Sequence, residues 1–145
     1  MSEHVRISTA EGVTEIVIAR PDKKNALTAA MYNRMIAALD EAAKDDSIGA
    51  VIFAGEGGVF TAGNDIGDFL ATTKGFTDFA ALRFIRALAA FEKPMVAAVD
   101  GLAIGVGTTM LFHCDLVYAT AASQFRMPFI DLALVPEAEI GRAHV

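Results

Sequence analysis

Residues 93–107, KPMVAAVDGLAIGVG, contain the pattern that decides the fold. Residues 94–100 form a continuous apolar run, which predicts a strand that is buried on both faces of a sheet. The small residues after this run predict a loop, and the loop enters a short helix near Val106. A buried strand followed by a loop and a helix is typical of α/β proteins.

The same order of elements occurs upstream. Residues 50–55 are mostly apolar and predict a short strand. Residues 59–69, VFTAGNDIGDF, follow it with a turn of small residues. In this turn Asn64 and Asp65 are placed to open a second short helix. The chain therefore has two glycine-containing corners, each after a predicted strand and before a predicted helix.

Two further strands precede the first helix. Residues 5–10 and 13–20 alternate apolar and polar side chains around Glu11 and Gly12, which predicts a hairpin. Two consecutive strands at this place fit a plain doubly wound sheet poorly. The remaining predicted elements are a helix over 28–44 capped by Thr28, a helix over 77–91, a strand over 115–120, and residues 124–125 extending or pairing with that strand.

Composition excludes several classes of protein. The chain has 145 residues, of which 54% are apolar, and a net charge of −6. A packed globular domain is therefore expected, and a general nucleic-acid binder is not, because phosphate binding needs a basic face. No apolar run is long enough for a membrane span, and the N-terminus has no export signal. With one cysteine, Cys114, the chain is compatible with a reducing compartment, and we expect a cytoplasmic protein.

The glycine loops do not match a nucleotide-binding motif. A dinucleotide fingerprint needs a third glycine, and the corresponding positions hold Phe60 and Met110. The consecutive residues His113, Cys114 and Asp115 do not predict a triad or a metal site, because neighbouring side chains diverge. Considered together, the two glycine corners allow two interpretations. They are simple turns, or their free main-chain N–H groups face each other and form an oxyanion hole.

Five segments in order resemble the enoyl-CoA hydratase/isomerase family, the crotonases, over nearly all of residues 5–138. The segments are RPDKKNAL (20–27), VFTAGNDI (59–66), KPMVAAVDGLAIGVG (93–107), CDLVYAT (114–120) and FRMPFIDLALVPEA (125–138). The resemblance implies an α/β fold, the crotonase (ClpP-like) spiral of ββα units with two roughly perpendicular sheets. It also accounts for the two leading strands.

The resemblance gives the chain a domain plan. Residues 1–138 are expected to be the N-terminal part of a crotonase-type acyl-CoA-binding core, whose relatives continue with helices that close the acyl pocket. Residues 139–145, EIGRAHV, are what common sequencing-adapter DNA would encode, and we interpret them as a non-native tail. Without the closing helices, the core faces of the sheet are expected to be uncovered. The full-length form is expected to be a homotrimer or hexamer.

The resemblance also implies the site. The main-chain N–H groups of Asn64 and Val106 are expected to donate hydrogen bonds to the thioester oxygen of an acyl-CoA and to stabilise its enolate. No metal and no separate cofactor are expected, because coenzyme A is part of the substrate. For Lys23 and Lys24 the alternative is an ordinary solvated loop charge. The residues expected to line the substrate site are Lys24, Ala26, Leu27, Ala62, Gly63, Asp65, Ile66, Gly67 and Gly105.

Acid–base residues divide the activities of the family. Hydratases use two glutamates, and the corresponding positions here hold Thr109 and Phe129, which take no proton at neutral pH. Glu137 matches the glutamate of Δ3,Δ2-enoyl-CoA isomerases of the peroxisomal type. The resemblance therefore implies an isomerase of fatty-acid β-oxidation, with Glu137 as the base against a wall that could include Phe129 and Leu134. The alternatives are a hydratase (a lyase), an inactive acyl-CoA-binding module, and for Glu137 a surface residue after a proline.

Overall fold

A computed structural model gives the structure of the protein and describes residues 3–71 and 79–131. The strands are β1 (Val5–Ala10), β2 (Val13–Ile18), β3 (Ala50–Gly55), β4 (Met95–Val99), β5 (Leu102–Ile104), β6 (Leu116–Ala119) and β7 (Gln124–Arg126). The helices are α1 (Ala29–Lys44), α2 (Ile66–Ala71), α3 (Ala80–Ala90) and α4 (Val106–Thr109). Short 3-10 helices occupy Pro21–Lys23 and Met110–His113. The α/β prediction is confirmed.

The main sheet has five strands in the order β1-β2-β3-β4-β6. The predicted hairpin is confirmed, because β1 and β2 pair antiparallel while every other pair in this sheet is parallel. The hairpin turn holds Glu11 at φ 51° and Gly12 at φ 77°. Positive φ at both central residues gives a turn whose twist matches that of the flanking strands.

Helices α1 and α3 pack together over one face of this sheet. The α1 helix begins after Thr28, whose hydroxyl accepts the main-chain N–H of Met31 at 3.4 Å. The Tyr32 ring of α1 contacts the Phe84 ring of α3, and Phe84 contacts Phe53 of β3. The core of the protein therefore lies between these two helices and the sheet.

The prediction that β4 is buried on both faces is wrong. Met95, Ala97 and Val99 are buried, but Ala98 is exposed. Ala97 is in register with Phe53 on the helix-covered face, whereas Ala98 is in register with Ala54 on the opposite face. No element within residues 3–71 and 79–131 covers that opposite face at Ala98, so β4 alternates like a strand with one buried side.

A second correction concerns residues 124–125. They do not pair with the strand at 115–120; they form part of β7, which pairs parallel with β5 in a separate two-stranded sheet. Strand β5 falls where the sequence predicts a loop, because three residues are too few to show a period. The helix predicted over 77–91 is observed as α3, and residues 77–78 lie outside the described part. No helix in the described segments is long and apolar enough to cross a membrane.

Candidate active site

Main-chain hydrogen bonds bring the segment 24–27 alongside the first glycine corner. The N–H of Ala62 donates to the Lys24 carbonyl at 2.9 Å, and the N–H of Leu27 donates to the Gly63 carbonyl at 2.8 Å. The N–H of Asp65 donates in turn to the Leu27 carbonyl at 2.9 Å. Residues 24–27, which include Ala26, and residues 62–65 are therefore adjacent, with Leu27 buried and Lys24 exposed.

The two glycine corners contact each other directly. Thr61 bridges them, because its N–H donates to the Leu102 carbonyl at 2.9 Å and its carbonyl accepts the Ile104 N–H at 3.0 Å. A β-carbon on Gly63 would lie 2.7 Å from the Ile104 carbonyl oxygen and 4.0 Å from the α-carbon of Gly105. This separation leaves no room for a side chain at Gly63, whose φ of 87° also favours glycine.

The Asn64 amide is directed away from the segment 24–27. Its peptide bond with Gly63 is trans, so the N–H points opposite to the Gly63 carbonyl. That carbonyl faces the Leu27 N–H, and the Asn64 N–H therefore points to the other side of the corner. It donates to no acceptor within the two described segments.

The Val106 amide has a similar setting in the second corner. The Gly105 carbonyl accepts the N–H groups of Thr108 at 2.9 Å and Thr109 at 3.0 Å. In a trans peptide this directs the Val106 N–H away from α4. Like the Asn64 amide, it donates to no acceptor in the part of the chain that the structure covers. Gly105 makes the corner possible, with φ 58° and ψ −120°.

Asp65 begins helix α2, as its position in the sequence predicts. One carboxylate oxygen accepts the N–H of Asp68 at 3.0 Å, and the other accepts from the Arg20 guanidinium at 2.7 Å. The hydrogen bond from Arg20 and the Asp68 N–H hold the pKa of Asp65 below its ordinary value of 3.8. Asp65 thus has a structural role at this corner, fixing both the start of α2 and the loop that contains Arg20.

The charged and apolar residues around the first glycine corner differ in how many contacts they make within the protein. Arg20 is occupied by Asp65 and by the Ala26 carbonyl, at 2.7 and 3.0 Å. Lys23 and Lys24 are exposed, which is compatible with a solvated loop as well as with an anionic ligand. Ile66 is 69% exposed and Gly67 is exposed, so both lie at the surface beside the corner.

Asn25 was not singled out by the sequence, although it joins the loops of the site. It is fully buried at φ 56°. Its Oδ1 accepts the Arg20 N–H at 2.7 Å, and its Nδ2 donates to the carbonyls of Glu56 at 2.9 Å and Val59 at 2.6 Å. Asparagine is favoured where the backbone is left-handed and the side chain bonds three main-chain groups. An asparagine in a loop is therefore the sequence feature that could have drawn attention to this position.

Tyr32 was also missed. Its hydroxyl donates to Oδ1 of Asn64 at 2.5 Å. Tyr32 and Asn64 line a small, narrow cleft, together with residues from the starts of α1, α2 and α3. A tyrosine on the apolar face of a helix needs a partner for its hydroxyl. The position of Tyr32 next to Met31, which lies on that face of α1, was the sequence signal that could have identified it.

Thr109 and Phe129, which the resemblance places at the positions of the hydratase glutamates, are both buried. Thr109 is fully buried on α4, and its hydroxyl lies 3.4 Å from the Val106 carbonyl. Phe129 is 8% exposed. Glu137 and Leu134 lie outside the described residues, and the role of Glu137 as the base stays a prediction.

The sequence His113-Cys114-Asp115 forms no catalytic cluster. Asp115 accepts the Met95 N–H at 2.8 Å, which ties the start of β6 to β4. Burial, with a smaller contribution from the Asp115 charge, raises the pKa of the Cys114 thiol to about 11. In the described part of the chain, no group of three or more His, Cys, Asp or Glu side chains could hold a metal ion.

Comparison with known proteins places the chain in one family. Residues 8–143 match the family described as Enoyl-CoA hydratase/isomerase. The rat protein named enoyl-CoA delta isomerase 2 is 37% identical over an aligned length of 143, and the match covers 94% of this chain and 36% of the rat protein. The mouse protein named enoyl-CoA delta isomerase 3, peroxisomal, is 33% identical over 94% of this chain and 45% of its own length.

A solved structure has the same fold. It is a putative enoyl-CoA hydratase/carnithine racemase from Magnetospirillum magneticum AMB-1, 46% identical in sequence, with a TM-score of 0.92 over 99% of this chain and 56% of its own. The chain thus spans between about a third and somewhat more than half of the length of these three proteins. The predicted crotonase fold is confirmed, and the chain belongs to the enoyl-CoA hydratase/isomerase family.

Proposed function

We propose that the protein binds an acyl-CoA thioester and stabilises its enolate between the main-chain N–H groups of Asn64 and Val106. The observation that carries the proposal is the direct contact of the two glycine corners, each with an amide that has no acceptor among the described residues. Two aligned donors on a developing oxyanion contribute about 2.7–4 kcal/mol each to catalysis. Gly63 makes the close approach of the corners possible, and Gly105, at φ 58°, gives the second corner its backbone conformation.

The reaction that we propose is the conversion of a 3-enoyl-CoA into the trans-2-enoyl-CoA. The oxyanion hole increases the acidity of the C2 hydrogen, and the Glu137 carboxylate takes that proton. The C2–H electron pair then enters a dienolate. When the double bond re-forms between C2 and C3, the same carboxyl group returns the proton to C4. One base is sufficient because both carbons lie on one face of the planar dienolate.

An isomerase is favoured over a hydratase by two residues. Thr109 and Phe129 occupy the positions where hydratases carry glutamates, and neither can activate or deliver water. The rat and mouse relatives are both named as enoyl-CoA delta isomerases, which supports the same choice. With this activity we propose a role in fatty-acid β-oxidation. A cytoplasmic location, the absence of a separate cofactor and a trimeric or hexameric assembly stay predictions.

The test uses the full-length protein with two substrates. A 3-enoyl-CoA should be converted to the conjugated thioester, and a 2-enoyl-CoA should not be hydrated at a comparable rate. Glu137→Gln should abolish isomerisation and leave binding of the CoA ester intact, whereas the matched control Glu92→Gln should keep full activity. Binding without isomerisation in the wild-type protein would favour an acyl-CoA-binding module, and full activity of Glu137→Gln would refute the role of this carboxylate.

A further inference from the structure

The Tyr32 side chain has a fixed position in the core. It is 1% exposed, and its ring lies 5.4 Å from the Phe84 ring, centroid to centroid. Phe84 is held in turn by an edge-on contact with Phe53 at 6.2 Å. Packing between α1, α3 and β3 therefore determines where the Tyr32 hydroxyl lies, independently of the corner that the hydroxyl contacts.

That hydroxyl provides a third attachment for Asn64. The two main-chain attachments are the bonds of the Gly63 carbonyl and the Asp65 N–H to Leu27, at 2.8 and 2.9 Å. Both attachments are on the side of the corner that faces the segment 24–27. The hydrogen bond from the Tyr32 hydroxyl to Asn64 Oδ1, at 2.5 Å, holds Asn64 through its side chain. It therefore restricts rotation of the Asn64 peptide groups that the two main-chain bonds still allow.

We propose that Tyr32 is a positioning residue for the oxyanion hole. Acting through the Asn64 side chain, its hydroxyl holds the Asn64 main-chain N–H in the direction that stabilises the enolate. The inference rests on the proposed function, in which the donor is the main chain of Asn64. Removing the Asn64 side chain therefore deletes the attachment and keeps the donor.

The expected effect is mainly on kcat. A donor aimed at a developing charge stabilises the transition state more than it stabilises the bound substrate. Tyr32→Phe keeps the packed ring and removes only the hydroxyl, so kcat should fall about tenfold, the equivalent of one hydrogen bond, while KM stays within about twofold. The matched control is Tyr118→Phe, because Tyr118 is 65% exposed on β6, and its kcat should not change.

A double-mutant cycle in the full-length protein tests the inference. Wild type, Tyr32→Phe, Asn64→Ala and the double variant are assayed with a short trans-3-enoyl-CoA, and thermal unfolding checks that each is folded. Both single variants should lose kcat to a similar extent, and the double variant should lose no more, because each change removes the same attachment. If Asn64→Ala does not fold, Asn64→Ser replaces it.

The outcomes separate the two hypotheses. Additive losses in the cycle, or an unchanged kcat in Tyr32→Phe, would overturn the positioning role and leave the proposed function in place. A folded wild-type protein that converts no 3-enoyl-CoA would overturn the proposed function and the positioning role with it.

Discussion

The carbonyl oxygen of Ile104 lies 2.7 Å from the point that a β-carbon on Gly63 would occupy. Gly63→Ala should therefore push the two corners apart and should also strain a backbone with φ 87°. We expect a loss of about 1–3 kcal/mol in the free energy of unfolding, and a fall in kcat of at least about 100-fold if the corners hold the oxyanion donors. Chemical denaturation and the 3-enoyl-CoA assay measure the two effects.

Gly49→Ala is the matched control for that substitution. A β-carbon on Gly49 would lie 3.8 Å from the Gly12 carbonyl oxygen, an ordinary contact at an exposed position away from the site. Its stability should stay within about 0.5 kcal/mol of wild type, with unchanged activity. If Gly63→Ala behaves like Gly49→Ala, the contact between the corners is not needed for function.

The fold was predictable where a side-chain period is long enough to be seen. The hairpin around Glu11 and Gly12 and helix α1 have clear periodic patterns, and both are confirmed. The exposed side of β4 was not predictable, because Ala98 is as apolar as its neighbours and its exposure depends on what packs above it. The pairing of β5 with β7 joins segments about 20 residues apart, and local pattern does not encode such pairing.

The site was predictable through its backbone and less so through its side chains. Small residues at Gly63 and Gly105 indicate corners that approach closely, and the structure brings these corners into contact. Family resemblance was needed to choose between turns and an oxyanion hole. The polar contacts of Asn25 and Tyr32 depend on tertiary neighbours more than 30 positions away, so single-sequence reasoning did not find them.

The Arg20–Asp65 pair should make stability depend on pH in the acid range. Because the folded-state pKa of Asp65 lies below 3.8, its ionised form contributes stability above about pH 4, and this contribution is lost as pH falls through the folded pKa. Asp65→Asn should therefore have a lower Tm than wild type at neutral pH. The difference in Tm should stay constant down to about pH 5 and narrow below about pH 4.

The control for that experiment is Asp46→Asn, which removes an exposed carboxylate in the loop after α1. Its difference in Tm from wild type should be small at neutral pH. Two results would contradict the role of the Arg20–Asp65 pair. One is a Tm difference between wild type and Asp65→Asn that grows as the pH falls, and the other is a Tm difference equal to that of Asp46→Asn at every pH.

Cys114 should react slowly with thiol reagents in the folded protein. Its pKa of about 11 results first from burial and second from the charge of Asp115. At pH 8 the thiolate fraction is on the order of 100-fold lower than for a thiol with the ordinary pKa of 9.0, and labelling should slow accordingly. Cys114 is the one cysteine in the sequence. The coloured thiolate that a chromogenic disulfide reagent releases on reaction therefore reports on this thiol alone. The same reagent should react at the ordinary rate in guanidinium, and equal rates in both conditions would contradict the burial of this thiol.

Strand β6 should make the 145-residue chain self-associate. It lies at the edge of the five-stranded sheet, and Leu116, Val117 and Tyr118 are all exposed. An edge strand with apolar side chains is a site of association, and Leu116→Lys combined with Tyr118→Lys should reduce it. The control pair Ala121→Lys and Ala122→Lys adds the same charge in the exposed turn after β6 and should change association little. Light scattering of the three proteins measures the effect. A monomeric wild-type chain, or equal scattering from the two lysine pairs, would show that β6 does not drive association.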